Sequence, residues 1–392
     1  MQYRMNPKNN QKLSILGYGC LRFTKKGGVI DQEKAEEEMK AAILAGVNYF
    51  DTAYTYTGSE ICLGRFLAKG YRDQVNIATK LPHYYIKTAE DMDRYFNEQL
   101  KRLKTDRVEY YLMHMLNDAA AWHRLEQLGI KEWIRRKKEE GSILNIGFSF
   151  HGGTTNFIKL VDAYDWDFCQ IQYNYADEHS QAGRRGLDYA SGKGLAVIIM
   201  EPLRGGRLVQ GLPASAKKVL DQVKPRRSYA QWGLRWLFDQ HQVTVVLSGM
   251  NDLEQVNENI RIADQAEAGC MTAEEEKVIA LVVDEINKYI KVPCTGCGYC
   301  VPCPVNVDIP GCFHAYNTSY TENWLRGVKT YFMCTALRRE PTGASQCVKC
   351  GKCKAHCPQS ISIPEELVKV KKRMENPLYQ IVRMISRKRM KY

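Results

Sequence analysis

Two cysteine runs near the C-terminus restrict this chain more than any other feature. The first is Cys294-x2-Cys297-x2-Cys300-x2-Cys303-Pro304; the second is Cys347-x2-Cys350-x2-Cys353-x3-Cys357-Pro358. Three thiolates spaced three apart can wrap three corners of one iron–sulfur cube, and a fourth cysteine followed by proline reaches the other cube. The pattern therefore predicts two 4Fe-4S clusters. Cys294, Cys297, Cys300 and Cys357 would hold one, and Cys347, Cys350, Cys353 and Cys303 the other. The first run has two residues before its last cysteine where three are common, which leaves the partner of Cys303 open. Structural zinc is the alternative, but zinc sites use separated cysteine pairs in tetrahedral sets. These eight thiols are among 14 cysteines in 392 residues. A chain of this length, expected to be cytosolic, keeps its thiols reduced, so metal binding is favoured over a disulfide framework.

The length exceeds one ordinary domain and suits a large barrel with a small appended domain. Eight β-like runs precede the cysteines, at Ser14–Cys20, Val47–Ala53, Val75–Leu81, Val108–His114, Ile143–Phe150, Asp167–Asn174, Leu195–Leu203 and Val243–Met250. Segments of helical spacing separate them, such as Gln32–Ala45, Ala89–Leu103, His123–Glu140 and Ser228–Gln240. Repeated strand-then-helix units imply a parallel sheet. Eight of them in about 250 residues fit a closed (β/α)8 TIM barrel. A doubly wound sheet would want a Gly-rich fingerprint after the first strand, and GYGCLRF lacks its third glycine. The predicted organisation is a barrel with a terminal helix over 1–290, a 4Fe-4S domain over 291–364 and a basic amphipathic tail over 365–392. About forty residues separate the cysteine runs, and Phe313–Tyr316 and Trp324–Leu337 there have helical spacing. That segment resembles the helical two-cluster ferredoxin modules fused to larger redox enzymes. Cys312 and Cys334 lie in it without motif partners and read as small apolar core residues.

No run of about twenty apolar residues occurs, so no transmembrane span is expected. The N-terminal MQYRMNPKNNQK has no apolar stretch of a signal peptide, and a cytoplasmic protein is expected. Net charge is +12, and the segment from Lys369 to Tyr392 supplies +8 of it, nine basic residues against Glu375. Nothing in the barrel suggests nucleic-acid binding. In the tail, Asn376-Pro377 reads as a helix start. Leu378, Ile381, Val382 and Ile385 form an apolar stripe beside Arg383, Arg387, Lys388, Arg389 and Lys391. This stretch would dock on its own protein, or meet an acidic redox partner or an anionic membrane surface.

Chemistry in a parallel barrel sits at the C-terminal ends of the strands. Strand two ends in Asp51, with Tyr56 just beyond; strand three ends in Thr79-Lys80; strand four ends in His114. Together these make a proton-donating site. Asp51 would orient Lys80, and Lys80 would lower the Tyr56 pKa. Tyr56 would give a proton to a carbonyl oxygen as hydride reaches the carbon, with His114 bonding the same oxygen. Taken singly, each has a plain structural role: a turn-forming Asp, a surface Lys, a packed Tyr or His.

The stretches FDTAYTYTGSE, ATK and YYLMH resemble the aldo/keto reductase family, and with IGFSFHG, CQIQYNY, MEPLRGG and LSGMNDLEQVNENI the likeness spans residues 10–265. The whole chain resembles the subgroup of that family with a C-terminal 4Fe-4S module. The resemblance implies that Asp51, Tyr56, Lys80 and His114 are a catalytic tetrad reducing small aldehydes or ketones with NAD(P)H. It implies that Ser149 and Gln170 touch the carboxamide, and that Leu203, Gly205, Ser248, Gly249, Met250 and Asn259 follow the phosphates and adenosine. Phe150 stands where the family often has Asn, and Met200 or Glu201 where a Tyr stacks on the nicotinamide. Gly249-Met250-Asn251 and Gln255 lack the Lys or Arg of NADP-preferring members, so NAD and NADP both stay open. Nicotinamide gives two electrons as hydride, whereas each cluster takes one. The clusters would serve a ferredoxin- or flavodoxin-type partner or be structural, and a flavin intermediary is not excluded. The alternative is an electron-transfer subunit whose barrel is a docking scaffold. A cluster-based redox sensor ranks last, for want of a DNA-binding motif.

Overall fold

A computed structural model describes residues 1–116, 119–151, 154–179, 181–294, 300–336, 342–357, 359 and 361–389. Eight parallel strands close on themselves in chain order: β1 (Leu16–Gly19), β2 (Tyr49–Asp51), β3 (Asn76–Leu81), β4 (Val108–Met113), β5 (Ile143–Phe150), β6 (Phe168–Gln172), β7 (Ala196–Met200) and β8 (Val245–Ser248). β8 pairs with β1 through Val246 opposite Leu16 and Ser248 opposite Tyr18, which shuts the sheet. Each predicted strand is present, mostly trimmed by a residue or two at its ends, where the chain turns into a loop.

Alternation sorts the side chains. Tyr49, Ala78, Tyr110, Leu112, Phe168, Ala196, Ile198, Val245 and Leu247 form one apolar cluster, the filled interior of the barrel. The opposite parity, including Phe50, Ile77, Tyr111, Phe148 and Val246, packs outward with the helices in a second, larger cluster. A strand repeats its facing every two residues. Moving up from each interior residue by two therefore names the top layer of the barrel: Asp51 from Tyr49, Lys80 from Ala78, His114 from Leu112, Gln170 from Phe168, Met200 from Ile198.

The sequence reading missed two short antiparallel ribbons, one of them Lys25–Lys26 with Val29–Ile30. Tyr3–Met5 and Lys12–Ser14 pair as the other, and Leu13 joins the interior cluster. Asn6 donates to the Tyr110 hydroxyl, which in turn donates to Gln11. This ribbon stoppers the end of the barrel away from the strands' C-terminal ends. Three residues per strand and a polar turn gave little periodic signal. The single helix expected over His123–Glu140 is two, Ala119–Gln127 and Ile130–Glu139, divided at Gly129, whose φ of 80° only glycine adopts freely.

The chain divides into two compact units. One holds 1–209 and 227–276; the other holds 210–226 and 277–392. In the second, helices Ile309–Thr321, Trp324–Tyr331, Ile363–Met374 and Pro377–Arg389 surround a small core including Val307, Phe313, Tyr331, Leu367, Val370 and Tyr379. Cys312 is fully buried in that core, as its lack of motif partners suggested. The terminal helix starts as predicted, with Asn376 accepting from the Tyr379 amide. Its Tyr379 is buried, yet Leu378, Ile381, Met384 and Ile385 are exposed. Among the described residues no helix is long and apolar enough to cross a membrane.

Candidate active site and thiol cavity

Asp51 and Lys80 meet at the top of the barrel, almost fully buried. The Lys80 ammonium donates to Asp51 Oδ1 at 2.6 Å and to the Thr52 carbonyl at 2.7 Å. Gln170, carried by β6 on the same layer, donates to Asp51 Oδ2 at 3.1 Å. Burial raises the Asp51 pKa. Burial alone would lower that of Lys80, but Asp51 and Tyr56 outweigh it and hold the ammonium charged. Lys80 Nζ lies 5.0 Å from the centre of the Tyr56 ring, and the His114 ring stands 6.0 Å from that centre, edge-on at 82°. The structure thus brings all four sequence-picked residues together.

The electrostatics differ from the sequence expectation on one point. Lys80 does act to lower the Tyr56 pKa, but burial outweighs it and the net shift is upward. Desolvation penalises the phenolate more than one ammonium, already shared with Asp51, can recover. Tyr56 is therefore a proton holder. His114 is pushed down to about 3, first by burial, then by Lys80, His151 and His83, so its imidazole is neutral across the ordinary pH range.

Behind the site lies a polar hub that sequence reading did not find. Glu60, 2% exposed, accepts from Thr79 (2.7 Å), Gln99 (2.8 Å) and Arg102 (3.1 Å). Gln99 also donates to the Lys80 carbonyl, and Arg102 to the Tyr54 carbonyl. The strand bearing Lys80 and the loop bearing Tyr56 are thereby tied to the same buried carboxylate. Glu60 lies in FDTAYTYTGSE, but nothing in a linear motif says that Gln99 and Arg102, forty residues on, will close on it.

The expected nicotinamide contacts fall into two groups. Gln170 and Ser149 are neighbours in register across β6 and β5. Ser149 Oγ accepts from the Met115 amide at 2.8 Å. Gln170 Oε1 is buried with no hydrogen-bond partner, an acceptor waiting for a donor such as a carboxamide NH2. The other group lies around β8. Asn259 donates to Ser248 Oγ at 3.0 Å, and the Met250 carbonyl accepts from Tyr18. Arg22, which the sequence reading passed over, joins Gly205 to Gly249. A Cβ on Gly205 would strike its guanidinium, and one on Gly249 would meet its Cδ at 3.0 Å. Gly205 has φ 62°, so the loop after β7 needs glycine there on two counts. Leu203, at the start of the same turn, packs its Cδ2 against Gly233.

In the second unit one cavity is lined by Cys303, Cys347, Cys350 and Cys353, with Pro304, Val305, Val348 and Gly351 among its other walls. These are the four thiols that spacing assigned to one cluster. Burial raises the Cys353 pKa, and Cys347, Cys303 and Cys350 act in the same direction. The Lys349 amide donates to Cys347 Sγ at 3.4 Å, as loops around cluster sulfurs do. Cys294, Cys300 and Cys357 pack against the same small core; Cys297 lies outside the described residues. Among the described residues no three of His, Cys, Asp or Glu close up as ligands of a single ion. None of the thirteen described cysteines is in a disulfide. The donor set fits cubes held by spread thiolates.

Comparison with known proteins agrees. Residues 15–268 match the model of the "Aldo/keto reductase family", and residues 293–361 that of the "4Fe-4S dicluster domain". L-galactose dehydrogenase of Arabidopsis thaliana is 24% identical over 301 residues, covering 70% of this chain and 92% of that protein. L-glyceraldehyde 3-phosphate reductase of Escherichia coli K12 is 22% identical over 308 residues, covering 67% and 87%. Among solved structures, an aldo-keto reductase from Klebsiella pneumoniae in complex with NADPH superposes with a TM-score of 0.60 at 22% identity, covering 72% of this chain and 96% of that one. The holo form of one from Bacillus halodurans gives 0.59 at the same identity and coverage.

Proposed function

The chain belongs to the aldo/keto reductase family and carries a 4Fe-4S dicluster domain, and on that premise we propose that it reduces a small aldehyde or ketone with NAD(P)H, Tyr56 supplying the proton. The observation that carries this reading is the buried Asp51–Lys80 pair set against Tyr56 and a neutral His114. When bound, the nicotinamide supplies hydride to the carbonyl carbon, and the clusters exchange electrons singly with a partner.

The protein's own residues do the rest. Tyr56 keeps its proton at neutral pH because burial raises its pKa, and it releases that proton only as negative charge grows on the substrate oxygen. Lys80, fixed by Asp51 and the Thr52 carbonyl, stabilises the phenolate left behind. His114, unprotonated, is a neutral hydrogen-bonding partner for the same oxygen and adds no charge that would compete with Lys80. Gln170 offers its unpaired Oε1 to a carboxamide beside Ser149. Leu203, Gly205, Ser248, Gly249, Met250 and Asn259 line the path of the dinucleotide, and Arg22 gives the phosphates a cation that the stretch after β8 lacks. Cys303, Cys347, Cys350 and Cys353 hold one cluster; Cys294, Cys297, Cys300 and Cys357 hold the other.

Tyr56→Phe tests the reading. Anaerobically purified, cluster-loaded protein is expected to reduce carbonyl substrates with NADH or NADPH, and the variant to lose roughly 10²–10⁴ in kcat with unchanged cluster absorbance. Equal turnover by variant and parent would remove Tyr56 from the chemistry. No turnover by the parent with either nucleotide would favour the scaffold reading.

A further inference from the structure

We propose that the face around Cys350 is a docking surface for an acidic protein that carries one electron at a time. The proposal rests on the cluster assignment of Cys303, Cys347, Cys350 and Cys353 made above.

Cys350 is the one exposed cysteine among the described residues, and it lies on the rim of the thiol cavity with Val348 and Gly351. Three lysines bracket it within six residues: Lys349, Lys352 and Lys354, all exposed. The chain has no Asp or Glu from Gly343 to Pro364. None of the three lysines makes a salt bridge with a described residue, although many other surface cations of this protein do. The backbone explains the layout. Lys349 and Gly351 both take the left-handed conformation, at φ 56° and 74°. The loop turns its Lys349 amide toward sulfur and leaves its side chains in water. Next to these lysines in the chain, Val348 is 64% exposed.

An exposed ligand to a cluster is where an outside redox centre can come nearest. A cluster of unneutralised lysines flanking it in the chain attracts an acidic partner and speeds its encounter. One exposed valine gives a small apolar contact, in keeping with weak electron-transfer encounters, which bury less than about 1,200 Å². One electron passes between the carrier's cofactor and the cluster; no bond forms or breaks and no proton is needed.

The test uses the full cluster-loaded chain and an acidic flavodoxin in its hydroquinone form as probe. Cluster reduction followed by stopped-flow absorbance should slow steeply as NaCl rises, and calorimetric binding should weaken with it. The triple variant Lys349→Glu, Lys352→Glu, Lys354→Glu should react and bind roughly 10- to 100-fold less well at low salt, with iron, sulfide and reduction by dithionite unchanged. If that variant fails to load its clusters, the triple Lys→Gln variant should show a smaller loss in the same direction. Salt-independent kinetics, or a variant that binds flavodoxin as the parent does, would overturn the proposal. Binding to phosphatidylserine vesicles through these lysines, with none to flavodoxin, would overturn it in favour of a lipid surface. A parent protein with normal iron and EPR signal but no flavodoxin binding refutes the docking alone; one without iron refutes the cluster assignment as well.

Discussion

The two units of this protein solve stability in opposite ways. The barrel buries whole strands: its interior and its outer layer together form two extensive apolar clusters, and its edge-free sheet satisfies its own backbone. The most buried of its described charge pairs, Asp51–Lys80, is answered within the protein by Thr52 and Gln170. The candidate catalytic layer is thus set on a large apolar fold. The second unit has a much smaller core, and its candidate ligand thiols are themselves part of the packing. Small cores supply little stability and are usually stapled by something covalent or metallic. There, the groups proposed to carry function are also groups that pack the fold.

Iron removal gives the largest predicted contrast. Anaerobic chelation should abolish the calorimetric transition of the second unit and leave the barrel's in place, a loss on the order of 10 kcal/mol if these clusters couple to folding as structural metals do. Simultaneous loss of both transitions would break the contrast.

Lys80→Met comes next and should act on the barrel alone. It leaves Asp51 buried without its cation, at a cost of about 3–5 kcal/mol, seen as a lower barrel Tm with unchanged cluster absorbance. Because burial raises the Asp51 pKa, the deficit should be smallest below the unfolded carboxyl pKa and grow as pH rises above it. A deficit that shrinks with rising pH would contradict a buried, unpaired carboxyl.

His114 should make barrel stability depend on acid more gently. Its folded pKa of about 3 lies below the unfolded value of 6.5. Stability is then whole above pH 6.5 and falls between 6.5 and 3, as the unfolded chain gains a proton that the folded one refuses, by at most about 1.4 kcal/mol per pH unit. His114→Gln should flatten that slope in denaturant titrations at several pH values, and an unchanged slope would place the effect elsewhere.

The smallest effect sharpens the comparison inside the second unit. Leu378→Ser, at an exposed position, should shift its midpoint by no more than about 0.5 kcal/mol, whereas Tyr379→Ala, one residue on and fully buried, should cost about 3–5 kcal/mol. Equal costs in urea titration would mean the helix is held by its other face.

Sequence alone determined what depends on short spacing. Strand parity is local, so the run of eight strands and the inward direction of Asp51, Lys80 and His114 could be read from period-2 patterning and strand ends. Thiol spacing is local too, and it grouped Cys303 with Cys347, Cys350 and Cys353, which the fold then brought around one cavity. Tertiary structure decided what depends on partners distant in the chain. It recruited Gln99 and Arg102 to Glu60, placed Arg22 between Gly205 and Gly249, and capped the barrel with a ribbon too short to show a period. It also set the sign of the Tyr56 shift. A neighbouring lysine can be named from a motif, but desolvation is the sum over everything that excludes water, and that sum exists only once the chain has folded.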